Sequence, residues 1–211
     1  GSYTIYIRPR VNGKNVMKEA YTLKITVANS SSETAYKADY AKSFRVKLTP
    51  DSEIVPILTS TSDFSVYDNA TLLKTFTAAS RVRVVQSGDK FTVTSGSYAW
   101  TVSGPVRLTP KPDGVMQIIT MEQRPAWNTS LNDNLFRGTI EIRNVDGELT
   151  LINELALEDY MKGIGEVSNG DPTEKIKTMM VIARTYASHY LTEAEKFPGK
   201  PYNLDDDPNS S

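Results

Sequence analysis

"FRGTIEIRNVDGELTLINELALEDYMKG", residues 136–163, holds the change of pattern on which the fold reading turns. Its first part is two runs of alternating apolar and polar residues, the period of strands with one wet face. Between them stands "NVDG", where Gly147 can take the positive φ that a tight hairpin turn needs. Then the period lengthens. In "ELALEDYMKGI" (154–164) Leu157, Tyr160, Met161 and Ile164 recur at helical spacing, and Gly163 and Gly165 break the helix. A hairpin leading straight into a helix predicts an α+β chain: a β-rich part of antiparallel strands and hairpins first, helices afterwards.

Working towards the N-terminus, short β-rich runs recur: "FRVKLT" (44–49), "EIVPIL" (53–58), "FSVY" (64–67), "LLKTFT" (72–77) and "RVRVVQ" (81–86). They continue with "FTVTS" (91–95), "YAWTV" (98–102), "VRLT" (106–109) and "VMQIITM" (115–121). "YDNA", "QSGDK" and "PKPDG" separate several of them and supply residues that tolerate left-handed backbone. Residues 30–42, "SSSETAYKADYAK", are small and polar and read as a linker. Before them "YTIYI" (3–7) and "YTLKITV" (21–27) are two strands around a polar loop. Two strands are marginal alone. Residues 1–29 are therefore expected to be the tail of an upstream immunoglobulin-like β-sandwich, the alternative being edge strands of the main domain. The main domain is expected over residues 43–211.

Towards the C-terminus a second helix is predicted from Asp171-Pro172-Thr173, with Pro in the first turn and Glu174 beside the positive end of the dipole. Ile176, Met179, Met180, Ala183, Tyr186, Ala187, Tyr190 and Leu191 form its apolar stripe, and Phe197-Pro198-Gly199 ends it. Lys177 and Arg184 are seven apart and share one face. Glu166 stands in the loop that leads into this helix. Near a helix start a carboxylate is held by free N–H groups, whereas in an apolar cleft its pKa rises into the range of a general acid. By spacing alone the simpler reading is a pair of solvated cations and a dipole partner.

Bulk composition removes several function classes. With 24 Lys and Arg against 25 Asp and Glu, the net charge of −1 gives no electrostatic case for nucleic acid or an anionic membrane. The absence of cysteine excludes disulfides, thiolate metal sites and Cys nucleophiles. No apolar run approaches the ~20 residues of a spanning helix. The chain opens on Gly1-Ser2 without an initiator Met, as expected of a trimmed segment of a longer protein.

"INELALEDYMKGIGEVSNGDPTEKIKTMMVIARTYA" (152–187) resembles the core signature of the SpoIID/LytB family, the stage II sporulation protein D domain. "NELALEDYMKG" (153–163) stands where that family has an Asn-x-Leu-Pro-Leu-Glu-Asp-Tyr-Leu-x-Gly stretch, with Ala156 in place of the usual Pro. Glu166 falls six residues before Pro172, as the family Glu does. "EKIKTMMVIARTYA" (174–187) keeps Lys177 and Arg184 in register, with Met179 and Met180 replacing smaller residues. The "GIGEV" loop is two residues shorter than the commoner form. "YNLDDDPNSS" stops where the family runs on into further strands, so the domain is expected to be incomplete at its C-terminus. "RVKLT" and "RGTIEI" extend the resemblance upstream.

The resemblance implies a peptidoglycan lytic transglycosylase of the bacterial cell envelope, acting outside the membrane on glycan strands. No cofactor is expected; some members of the family carry a metal near this helix, but one histidine without cysteine is a poor ligand set, so no metal is expected here. Glu166 would be the enzyme's acid and base, with Lys177, Arg184 and Tyr186 binding substrate or supporting Glu166. The alternative it implies is a non-catalytic peptidoglycan-binding module or an activator of a partner cell-wall amidase. Other candidates read more simply as structure. His189 is the single histidine and lacks partners for a metal site. Asp205, Asp206 and Asp207 are expected in a solvated turn. Glu158 and Asp159 read as first-turn helix acids, Tyr160, Tyr186 and Tyr190 as core, and Trp100 and Trp127 as packing residues.

Overall fold

The structure is a computed structural model that describes residues 2–7, 10–11, 14–15, 21–26, 43–50, 52–124, 128–164 and 167–206. The chain divides into two compact units, Gly1–Lys37 and Ala38–Ser211. In the first, β1 (Ser2–Ile7) pairs antiparallel with β4 (Tyr21–Thr26), Ser2 opposite Thr26. A short ladder of β2 (Arg10–Val11) and β3 (Lys14–Asn15) lies between them in sequence. The linker expected at 30–42 lies outside the described residues.

The second unit is built on two sheets. Strands β5 (Phe44–Leu48), β6 (Ile57–Ser60), β7 (Phe64–Asp68), β8 (Thr71–Phe76) and β9 (Val82–Ser87) come first. They are followed by β10 (Lys90–Ser95), β11 (Tyr98–Val102), β12 (Val106–Pro110), β13 (Val115–Ile118) and β14 (Leu135–Arg137). The hairpin β15 (Thr139–Val145) and β16 (Glu148–Leu155) completes the β-rich part. Helices α1 (Leu157–Met161) and α2 (Thr173–Thr192) follow, and then β17 (Leu204–Asp205). One sheet runs β11-β10-β9-β6-β13-β14 and the other β17-β5-β16-β15-β12-β7-β8. All pairings in both are antiparallel except β17 beside β5.

Period-2 alternation explains the packing. Phe44, Val46 and Leu48 are buried while Arg45 and Lys47 between them are not. Leu58, Val82, Val84, Phe91 and Val93 from one sheet meet Phe64, Val66, Leu108, Ile140 and Ile142 from the other in a single core. The turns use the residues the sequence offers: Asn69, Asp113 and Asp146 all have φ near +60° (54°, 64° and 56°).

Three boundaries differ from expectation. The strand expected over 53–58 begins at Ile57, because Pro56 has no N–H to give a ladder. The strand expected over 115–121 stops at Ile118, where the chain turns and the Met121 N–H bonds to the Ile118 carbonyl (3.1 Å). The run from Phe136 is not one strand: β14 belongs to the six-stranded sheet and β15 to the seven-stranded one. Gly138 makes that crossing at φ +78°, packed against Leu155.

A second, smaller core seats the helices. Phe44, Val46, Leu155, Leu157, Ala187 and Leu204 are buried together, with Tyr160, Tyr190 and Leu191 against them. The Phe44 and Tyr160 rings lie 4.6 Å apart. The expected stripe of α2 is thus buried only towards its C-terminal end. Val181 (61% exposed), Ile182 (54%) and Tyr186 (43%) face solvent, which corrects the reading of Tyr186 as a core residue.

Candidate functional site

The loop between α1 and α2 carries the sequence candidate Glu166, and what fixes the two helices fixes the loop's ends. Helix α1 starts directly after β16, with Leu157 and Met161 buried and Glu158 and Asp159 in its first turn. Helix α2 starts at Thr173, so Pro172, expected in the first turn, stands at the N-cap instead, with φ −53° and ψ 135°. Asp171 beside it accepts bonds from Lys175 Nζ (2.8 Å) and the Ser168 N–H (2.9 Å). Lys175 first, then that N–H, hold its carboxyl below its ordinary pKa.

Glu166 itself lies outside the described residues. Arg184 donates through Nε and Nη2 to the two oxygens of Glu158 (3.1 and 2.7 Å), a fork that ties α2 to α1. Glu158 is therefore more than a first-turn acid. Lys177 bonds Glu174 (2.9 Å), one turn away on the same helix, and both are well exposed. Tyr186 meets the Tyr190 ring edge-on at 4.9 Å. Of the described candidates, Arg184 alone is fastened to the other helix, while Lys177 and Tyr186 keep their bonding and ring contacts within α2.

The outer face of the seven-stranded sheet holds a charged network that sequence reading missed. Glu141 is 2% exposed, and its oxygens accept from Arg45 (2.6 Å), Arg107 (2.6 Å) and Arg143 (3.1 Å). Glu154 accepts from Arg107 (3.0 and 2.9 Å) and pairs with Arg45. Burial pushes the Glu154 carboxyl up, but Arg107 and Arg45 outweigh it and hold the group below its ordinary pKa. Arg107 is correspondingly raised, chiefly by its bond to Glu154. The signal was present in the strands: Glu141 and Arg143 alternate with Ile140 and Ile142, and Arg107 sits between Val106 and Leu108. Only the register, with Arg107 opposite Glu141 and Arg45 opposite Glu154, turns that alternation into a cluster.

Above this network lies a cavity of about 570 Å³. Arg45, Glu141 and Arg143 line it from the sheet, Asn69 and Pro105 from the loops, Tyr190 from α2, and Glu195, Lys196 and residues 200–203 from the C-terminal segment. The C-terminal segment is clipped in place by β17 and by bonds from the Asn203 N–H to the Arg45 carbonyl (2.8 Å) and from Arg45 Nε to the Pro201 carbonyl (2.6 Å).

The remaining candidates fall elsewhere. His189 is exposed beside Tyr190, and Trp100 stacks on Tyr98 at 5.7 Å against the main core. Asp206 is not in a solvated turn. It accepts the Thr49 N–H (2.7 Å) and Gln123 Nε2 (3.4 Å), and burial raises its pKa against those bonds. Trp127 and Asp207 lie outside the described residues. Among the described residues no group of three or more His, Asp or Glu is placed to hold a metal ion, and no helix is long and apolar enough to cross a membrane.

Residues 145–211 match the family model described as "Stage II sporulation protein", SpoIID. The signature at 152–187 lies wholly within the matched stretch, which opens at the turn between β15 and β16. An uncharacterized protein of Brachyspira hyodysenteriae is 38% identical over 72 residues, covering 33% of this chain and 20% of that protein. The chain thus spans about a fifth of the length of that curated relative. No solved structure matches.

Proposed function

From the match of residues 145–211 to the SpoIID family model we propose that the protein works on the bacterial cell wall as a peptidoglycan lytic transglycosylase, in the cell envelope. The observation that carries this reading is the Arg184–Glu158 fork. It fastens together the two helices on either side of the loop containing Glu166, within the family stretch and with Lys177 and Arg184 in the family register.

The chemistry needs one carboxyl group. Protonated Glu166 gives its proton to the glycosidic oxygen as the bond from the muramic acid C1 breaks. The carboxylate so formed takes the proton of the C6 hydroxyl of the same sugar, and O6 closes on C1. One C–O bond breaks and one forms, and no water is consumed. A second carboxylate to direct water, as inverting and retaining glycosidases have, is not required. Acid–base assistance of this kind contributes roughly 10²–10⁴-fold. In this reading Arg184 and Lys177 would bind substrate or support Glu166, and Tyr186, 43% exposed, would offer its ring to a sugar face.

The test is mass spectrometry of peptide-free glycan strands after incubation with the full-length gene product. Anhydro-muramoyl ends are expected with the natural sequence and absent with Glu166→Gln. Retention of strands without new ends supports the other reading, a wall-binding or amidase-activating module.

A further inference from the structure

We infer that Glu158 is a positioning residue for strand cutting: it orients the Arg184 guanidinium before a glycan arrives. This rests on the reading of Arg184 given above and gives a role to a carboxylate outside the residues named there.

The contact comes first. Arg184 donates Nε and Nη2 to the two oxygens of Glu158, at 3.1 and 2.7 Å. A fork of this kind fixes the plane of a guanidinium as well as its place. It also crosses from α2 to α1, over 26 residues of chain. The neighbouring cations are held differently. Lys162 pairs with Asp159, Lys175 with Asp171 and Lys177 with Glu174, each partner three or four residues away. One such bond does not orient an ammonium on a flexible stem. Of these four side chains, Arg184 is the one whose direction is set.

Exposure comes next. The Arg184 side chain is 43% exposed and that of Glu158 53%. A pair this wet contributes little to stability. Helices α1 and α2 are joined without it, through a shared cluster of buried Leu157 and Ala187 with Tyr160 and Tyr190 against them. Nor does the start of α1 need Glu158, because Asp159 offers the same charge to the first turn. What remains for the fork to supply is order. Arginine is rich in rotamers, and freezing it on binding weakens a complex. A guanidinium already held in plane is spared that loss, and it stays open to solvent, where a strand can meet it. The carboxylate that holds it is fixed in turn, since α1 follows β16 directly and Leu157 beside Glu158 is buried. A group carried on a helix is placed more exactly than one on a loop. Better alignment of a reacting bond shows in turnover more than in binding.

The test is the rate at which the full-length gene product makes anhydro ends on peptide-free strands. Glu158→Gln is expected to lower kcat at least about fivefold and to leave KM within about twofold. Its melting temperature is expected to fall by no more than about 4 °C. In an Arg184→Gln background the same change should lower kcat no further, because the group it orients is gone. Exchanging the partners, Glu158→Arg with Arg184→Glu, lets an ion pair form again but presents the guanidinium from α1, so activity should stay low. An unchanged kcat in Glu158→Gln, a larger fall in its melting temperature, losses that multiply in the double variant, or activity regained on exchange overturns the inference. The double variant decides if the exchanged protein does not fold. No cutting by the natural protein overturns the cutting reading and this inference with it. Equal cutting by the natural protein and Glu158→Gln overturns this inference alone.

Discussion

Replacing Gly138 by alanine would drive a methyl group into the Glu154 carbonyl oxygen and to 2.7 Å from Leu155 Cβ, at a φ of +78°. Positive φ alone costs a side chain about 1–3 kcal/mol. Gly138→Ala is expected to lose at least about 2 kcal/mol in urea unfolding. A loss under about 0.5 kcal/mol would mean that the crossing between sheets tolerates a side chain. At the same scale, Arg184 and Glu158 are both part-exposed, so their fork fixes geometry more than it stabilises. A double-mutant cycle on the pair is expected to give a coupling of about 0.2–1 kcal/mol. Lys177 and Arg184 were legible in the sequence because a helix repeats locally. Glu141 and Glu154 were not, because Arg45 reaches them from 96 and 109 residues away along the chain. No local spacing encodes that meeting.

Among elements, the β15–β16 hairpin was the most legible, since alternation and Asp146-Gly147 specify it within seventeen residues. Helix α2 was half legible. Its stripe is periodic from Ile176 to Leu191, but periodicity does not say how much of a helix finds a partner. Only the part around Ala187, Tyr190 and Leu191 meets Phe44 and Leu157. Leu157→Ala should therefore act locally. A loss of about 2–5 kcal/mol is typical of such a truncation. Hydrogen exchange is expected to rise at amides of α1 and at the end of α2, while Ile140 and Val93 in the main core keep their protection. Uniform acceleration across the unit would show instead that the helices and the sandwich unfold as one.

For the second unit as a whole, the two sheets were foreshadowed by many short alternating strands, whereas their order was not, because strand partners such as β13 and β6 lie far apart in sequence. The charged outer face makes this unit sensitive to acid. The pKa of Glu154 is lowered on folding, so its contribution is complete above its ordinary value of 4.5 and is lost as pH falls below that. Asp206 has the opposite sign: its raised pKa makes the folded state less stable as pH climbs through that value. Melting temperature should therefore fall on acidification below about 4.5 in the natural protein and fall less in Glu154→Gln. Equal acid sensitivity in both would remove Glu154 from the account.

The central claim is that Glu166 cuts a glycan strand by ring closure and not by water. It is tested most directly by digesting peptide-free strands in water enriched in heavy oxygen and weighing the new ends. The account predicts anhydro ends lighter by one water than a hydrolysed end, carrying no heavy oxygen and missing with Glu166→Gln. New reducing ends labelled with heavy oxygen, or new ends that persist in Glu166→Gln, would contradict it.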